Sequence, residues 1–235
     1  MLERGLFFRG RGGIATELKI CGLTTLADLR LALQLGADYV GAIVDIARSP
    51  RNMSPVVAKN LFRAAGGRGV AVTDRPDAPW LTEMAREVPL AAVQLHREPE
   101  EEVLRDLRAR LPGPVEVWAV LSLPVEPGAA ADAVPTLAEK ARRLPQAGVA
   151  RIVLDSKVGG VSGGTGVAGD WSLAARVIAA SPLPVLLAGG ITADNAVAAL
   201  RVSRAAGLDV SSGVERYPGR KDPTRLRALF AQLRP

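Results

Sequence analysis

Asp155 closes the apolar run Arg151-Ile-Val-Leu154, and five glycines follow between Gly159 and Gly166. A short apolar run bounded by turn signals reads as a buried strand. Glycine is costly inside a helix, so a loop leaves the strand there. A carboxylate at such a strand end can give or take a proton, and the loop can close over a ligand. The plain alternative is a surface Asp beside a flexible turn. A second candidate is Cys21, which ends Glu17-Leu-Lys-Ile-Cys21 and precedes Gly22. Strand alternation turns Lys19 and Cys21 to one side. A cation beside the thiol is expected to lower its pKa and favour the thiolate, the form that acts as base or nucleophile. A lone cysteine is also commonly an inert core residue. Cys21 and Asp155 together would make an acid/base pair without a metal.

Other polar residues fall at the ends of apolar runs. His96 ends Val93-Gln-Leu-His96 and is either a third participant or a structural hydrogen-bonder. Arg51, in Arg48-Ser-Pro-Arg-Asn-Met-Ser-Pro55, can hold a carboxylate through two parallel hydrogen bonds or can sit solvated on a loop. Asp209 lies in Leu208-Asp-Val210. Gly189-Gly190 and Ser211-Ser212-Gly213 follow two apolar runs, where backbone N–H groups at helix starts can bind phosphate and glycine lets an anion approach closely.

The elements that must carry these residues alternate. Apolar runs begin near residues 17, 39, 69, 91, 115, 151, 184 and 208, each followed by a helical pattern. Helix starts are marked by Thr24 or Thr25, by Ser54-Pro55, by Asp170, by Thr192 and by Asp222-Pro223. A Pro/Gly/Ala-rich connection is expected before a helix over 136–144. Such runs fit a parallel sheet covered by helices. The alternation predicts an α/β fold, a TIM (β/α)8 barrel with its chemistry at the C-terminal strand ends. A doubly wound open sheet is the runner-up, weakened by Cys-Gly-Leu-Thr-Thr where a Gly-rich dinucleotide motif would stand. Residues 1–16 read as a loose N-terminal extension, and 17–235 as one barrel domain.

Composition removes other classes. The chain has 235 residues, 48% hydrophobic and 23% charged, which excludes global disorder. One Cys and one His argue against both an internal disulfide and a zinc site, and fit a reducing cytoplasm. The net charge of +6 is scattered among few aromatics. That argues against nucleic acid and suits a small anionic substrate. No apolar run reaches the ~20 residues of a membrane span. No cofactor and no metal are expected, and a monomer or homodimer is.

With these residues in hand, the chain from Leu18 to about Leu233 resembles the phosphoribosylanthranilate isomerases of tryptophan biosynthesis. The motifs are Lys19-Ile-Cys-Gly-Leu-Thr24, Ser49-Pro-Arg-Asn-Met-Ser-Pro55, Val93-Gln-Leu-His96, Leu154 to Gly166 with Asp170-Trp171, Leu187-Ala-Gly-Gly-Ile191 with Asn195, and Asp209-Val-Ser-Ser-Gly-Val-Glu215 with Pro218-Gly219 and Lys221-Asp222. The resemblance implies a cofactor-independent Amadori rearrangement of N-(5-phosphoribosyl)anthranilate. In it Asp155 would be the general acid and Cys21 the general base. Arg51 would hold the anthranilate carboxylate, with His96 near the substrate and Asp209 on a sugar hydroxyl or the amine. Gly189, Gly190, Ser211, Ser212 and Gly213 would hold the phosphate. The rivals are a diverged paralogue acting on another phosphoribosyl amine and a catalytically silent phosphate-binding barrel.

Overall fold

Valine, isoleucine, leucine and alanine fill runs of four to seven residues, and these runs are the strands of the fold. The computed structural model describes residues 16–124, 127–155 and 170–234. The strands are β1 (Glu17–Ile20), β2 (Tyr39–Val44), β3 (Asn52–Met53), β4 (Gly69–Thr73), β5 (Leu90–Leu95), β6 (Glu116–Ser122), β7 (Val149–Asp155), β8 (Val185–Ala188), β9 (Gly207–Val210), β10 (Glu215–Tyr217) and β11 (Arg220–Lys221). The helices are α1 (Leu26–Gln34), α2 (Pro55–Arg63), α3 (Pro79–Glu87), α4 (Glu101–Arg110), α5 (Pro127–Arg143), α6 (Trp171–Ala180), α7 (Ala196–Ser203) and α8 (Pro223–Leu233).

The sheet runs β1-β9-β8-β7-β6-β5-β4-β2 with every pairing parallel, and β1 also pairs with β2. That last pairing closes the ring, so the fold is the (β/α)8 barrel and not the open sheet. The two-residue β3 pairs with the C-terminal end of β2, beyond the β1 pairing, and β10 with β11 forms a separate antiparallel hairpin. Neither feature is legible as an apolar run.

Alternation along each strand separates two apolar zones. Leu18, Ile20, Val40, Ile152, Leu154, Leu187 and Leu208 face the helices. Ile43, Val70, Val72, Trp118, Val120, Val153 and Leu186 fill the barrel interior. Interior positions also carry Lys19, Gln94, Arg151 and Asp209, all buried. Each of these needs a partner, because an unpaired polar or charged group out of water is costly.

Helix starts follow the capping chemistry. Thr25, Ser54, Asp170 and Asp222 each accept a hydrogen bond from the first turn, and Pro55 and Pro223 open their helices. Two boundaries differ from the sequence reading. Helix α5 begins nine residues before the expected Thr136 and carries Pro135 inside it. A proline there forfeits one helical hydrogen bond. The helix persists because Val134, Leu137, Ala138 and Ala141 pack into the core. Helix α7 starts at Ala196, not Ala193. Thr192 is not its cap: the Thr192 backbone N–H donates to Asn195 Oδ1 at 2.8 Å. The expected extension before Thr16 and the Gly159–Gly166 loop lie outside the described residues.

Candidate active site

Register decides which side chains meet at the barrel mouth. Lys19 on β1 is level with Asp209 on β9 and with Tyr39 on β2. Level residues on adjacent parallel strands point the same way, so Lys19 and Asp209 meet inside the barrel. Lys19 Nζ donates to Asp209 Oδ2 at 2.9 Å, with the lysine fully buried. Two residues further along β1, Cys21 faces the same interior. Gly41 on β2 makes the space: a Cβ there would lie 2.9 Å from Cys21 Sγ and 3.2 Å from Lys19 Nζ. On the other side of β9, Asp209 is level with Ala188, and Ala188 with Asp155. A small side chain therefore separates the two carboxylates.

A cavity of about 280 Å3 opens at the C-terminal strand ends. It is lined by Cys21, Arg51, His96, Asp155 and Asp209, and by Gly189, Gly190, Ser211, Ser212 and Gly213. Cys21, Asp155 and the residues expected to bind substrate or phosphate therefore lie on one pocket, while Lys19 lies beneath it, outside the lining. Gln94, Arg48 and Ser122 also line it and were not assigned a role. Gln94 Oε1 and Asp209 Oδ1 are buried with no hydrogen-bond donor among the described residues. Both belong to pocket-lining side chains and are acceptors for a ligand's N–H or O–H. No group of three His, Cys, Asp or Glu among the described residues could hold a metal ion.

The electrostatics of Cys21 correct one expectation. Burial pushes its thiol above the ordinary value; Lys19 pulls it down, and Asp209 pushes it up again. The net direction is upward, opposite to the lowering expected from Lys19. The main reason is burial, and the partner of Lys19 adds to it. Its charge is already matched by Asp209, so Cys21 sees a dipole and not a bare cation. For Lys19 itself, burial alone would lower the pKa. The carboxylate of Asp209 and the nearby Cys21 outweigh that, so Lys19 stands above its ordinary value.

The two glycine-bearing loops pack against each other. Gly189 and Gly190 have φ of 98° and 66°, conformations that favour glycine. A Cβ on Gly213 would fall 1.8 Å from the Ile191 carbonyl oxygen, so the seventh and eighth loops touch backbone to backbone. Asn195 ties α7 to this site by donating from Nδ2 to the Gly190 carbonyl at 3.0 Å. The expected placement at helix starts holds only loosely. Helix α7 begins six residues after Gly190, and the eighth loop enters a short 3-10 turn at Ser212–Val214.

Arg51 reaches the pocket from the loop after β2 and is anchored by a residue not singled out in the sequence. Its Nε donates to Glu215 Oε1 at 2.8 Å and its Nη2 to Glu215 Oε2 at 2.5 Å. Glu215 Oε1 also accepts from Lys221 Nζ at 3.0 Å and from the Gly219 N–H at 3.2 Å. The sequence signal was Glu215 and Lys221 flanking Pro218-Gly219, the turn of the β10–β11 hairpin.

The profile of the family described as N-(5'-phosphoribosyl)anthranilate isomerase matches residues 18–232. The N-(5'-phosphoribosyl)anthranilate isomerase of Rhodopseudomonas palustris is 37% identical, over 93% of this chain and 95% of its own length. The tryptophan biosynthesis protein TrpCF of Yersinia pestis is also 37% identical, over 93% of this chain. The chain spans 41% of that relative, about half the length of the TrpCF proteins it matches. A crystal structure of a phosphoribosyl anthranilate isomerase in complex with reduced 1-(o-carboxyphenylamino)-1-deoxyribulose 5-phosphate superposes with a TM-score of 0.71. It shares 27% identity and covers 93% of this chain and 98% of its own. With a closed barrel, a pocket at its mouth and a family match across residues 18–232, the protein belongs to the N-(5'-phosphoribosyl)anthranilate isomerase family.

Proposed function

We propose that this chain converts N-(5-phosphoribosyl)anthranilate into 1-(2-carboxyphenylamino)-1-deoxyribulose 5-phosphate, the Amadori step of tryptophan biosynthesis. The observation that carries the reading is that Cys21, Asp155, Arg51 and the two glycine-bearing loops line one cavity of about 280 Å3. Asp155 is the general acid: it protonates the ribose ring oxygen, the C1′–O bond breaks, and the ring opens to an iminium. Cys21 is the general base: it removes the C2′ proton, and the electron pair forms the enolamine. Tautomerisation to the ketone completes an isomerisation in which atoms and electrons balance within the substrate.

The remaining groups bind. Gly189, Gly190, Ser211, Ser212 and Gly213 hold the phosphate through backbone N–H and hydroxyl groups. Arg51 holds the anthranilate carboxylate. Asp209 Oδ1 and Gln94 Oε1 accept from the substrate amine or sugar hydroxyls, and His96 contacts the substrate at the rim. No nucleic acid takes part. No helix among the described residues is long and apolar enough to cross a membrane. The reaction belongs to a reducing cytoplasm, where the thiol of Cys21 stays unoxidised, and the catalytic unit is a monomer or homodimer.

The test generates phosphoribosylanthranilate in place and follows the loss of its fluorescence. Saturable acceleration over a protein-free control is expected. Asp155→Asn and Cys21→Ser should each lose at least ~10²-fold in turnover, the usual weight of a general acid or base. Near-full activity of Cys21→Ala would reassign the base. No acceleration by folded protein would overturn the reading.

A further inference from the structure

Glu215 is buried at 5% exposure and lies outside the cavity lining, yet its carboxylate gathers four hydrogen bonds from three residues on three segments. Arg51 comes from the loop after β2, Gly219 from the hairpin turn, and Lys221 from β11. Lys221 Nζ also donates to the Ser211 carbonyl at 3.1 Å, so this cluster reaches the phosphate loop. Gly22 is packed between the two ends: a Cβ there would lie 2.5 Å from Arg51 Cδ and 2.7 Å from Ser211 Oγ. One carboxylate thus sits between two cations, which leaves the corner with a net positive charge. Burial by itself would push Glu215 up, but the Arg51 hydrogen bonds and the charge of Lys221 outweigh it and hold the group below the usual carboxylate range. A guanidinium carries five N–H groups in a planar fork. Glu215 engages Nε and one hydrogen of Nη2, which fixes the plane and leaves the Nη1–Nη2 edge able to meet a second carboxylate.

We infer that Glu215 is a positioning residue for the carboxylate end of the substrate, acting through Arg51 while Lys221 couples that arm to the phosphate loop. The inference rests on the reading that Arg51 holds the substrate carboxylate. Without Glu215 the arginine is a long, mobile side chain whose ordering must be supplied by the ligand. The loss therefore falls on binding and only weakly on the chemical step. A residue that merely supported the fold would not confine its effect to the substrate's affinity, nor make it depend on Arg51.

A double-mutant cycle tests this with full-length protein and phosphoribosylanthranilate, using wild type, Arg51→Ala, Glu215→Gln and the double variant, each checked for folding by thermal melting. Glu215→Gln should raise KM about 10-fold with kcat within about 3-fold, the signature of lost uniform binding. The double variant should be no worse than Arg51→Ala alone by more than about 2-fold, because contacting residues are not additive. Multiplicative losses in the double variant would overturn the inference. An unaffected Arg51→Ala would instead overturn the carboxylate reading of Arg51, a distinct failure. If Glu215→Gln does not fold, Glu215→Asp takes its place. It keeps the charge beside Lys221 but withdraws the carboxylate by one methylene. A wild-type KM in that variant would also overturn the inference.

Discussion

Cys21 sits buried beside a cation that is paired with its own counter-ion, and all three influences act on the thiol. Lys19 lowers the thiol pKa and Asp209 raises it, against a background of burial that raises it most. Asp209→Asn should therefore lower the Cys21 pKa, and Lys19→Met should raise it. The chain has one cysteine, so thiolate ultraviolet absorbance or the alkylation rate against pH reports this group alone. Equal curves for wild type and Asp209→Asn would show that Lys19 and Asp209 do not act on the thiol. Lys19→Met should also destabilise by about 3 kcal/mol or more, because it strands a buried carboxylate. This is the scale at which the sequence was half legible. Alternation along Glu17–Cys21 was enough to turn Lys19 and Cys21 to one side. The sign of the pKa shift was not readable, because the counter-ion lies 190 residues away in sequence and arrives only when β9 closes on β1. Arg51 has the same history. Its place in the pocket followed from its loop, while its anchor Glu215 is 164 residues distant.

At the scale of elements, local signals carried well and tertiary ones did not. Capping residues marked the starts of α2, α6 and α8 because a cap is a contact between neighbours. Proline content hid the first half of α5, since burial of its apolar face overrides the local penalty. The hairpin β10–β11 was invisible as a pattern because its strands are only three and two residues long. The glycines after β8 and β9 were legible as loops at the strand ends, but not their mutual contact. That contact supplies a prediction. A Cβ at Gly213 would collide with the Ile191 carbonyl oxygen at 1.8 Å, a backbone atom that cannot swing aside. Gly213→Ala should push the two loops apart, costing about 1–3 kcal/mol of stability as an overpacked site does. It should also raise both KM and the inhibition constant of inorganic phosphate. Unchanged phosphate inhibition in a folded Gly213→Ala protein would remove Gly213 from the phosphate site.

Across the whole molecule the barrel divides its labour between its ends. The pocket lies at the C-terminal strand ends; the opposite end is plugged by side chains from the starts of β1, β2, β6 and β7. Arg151 is buried there, paired with Glu17 and donating to the Tyr39 hydroxyl at 3.2 Å. Its guanidinium stacks 5.3 Å from the Tyr39 ring centroid and 5.2 Å from that of Trp118, and the two rings meet edge to face. Polar groups at this end of a barrel serve stability and not chemistry. Arg151→Met should therefore leave kcat/KM of the folded protein within about 2-fold while lowering stability by about 2 kcal/mol, less than a fully buried pair because Glu17 is partly exposed. The pH dependence separates this cause from lost packing. Burial raises the Glu17 pKa above its ordinary 4.5, and Arg151 opposes the rise. Removing Arg151 raises it further. A raised folded-state pKa gives stability that is present below the unfolded value and lost as pH climbs through the folded value. The deficit of Arg151→Met should thus be smallest near or below pH 4.5 and grow as the pH rises above it, in urea denaturation of both proteins across that range. A deficit constant in pH would mean that the variant loses the aromatic stacking alone and that the ion pair contributes nothing to closing the barrel floor.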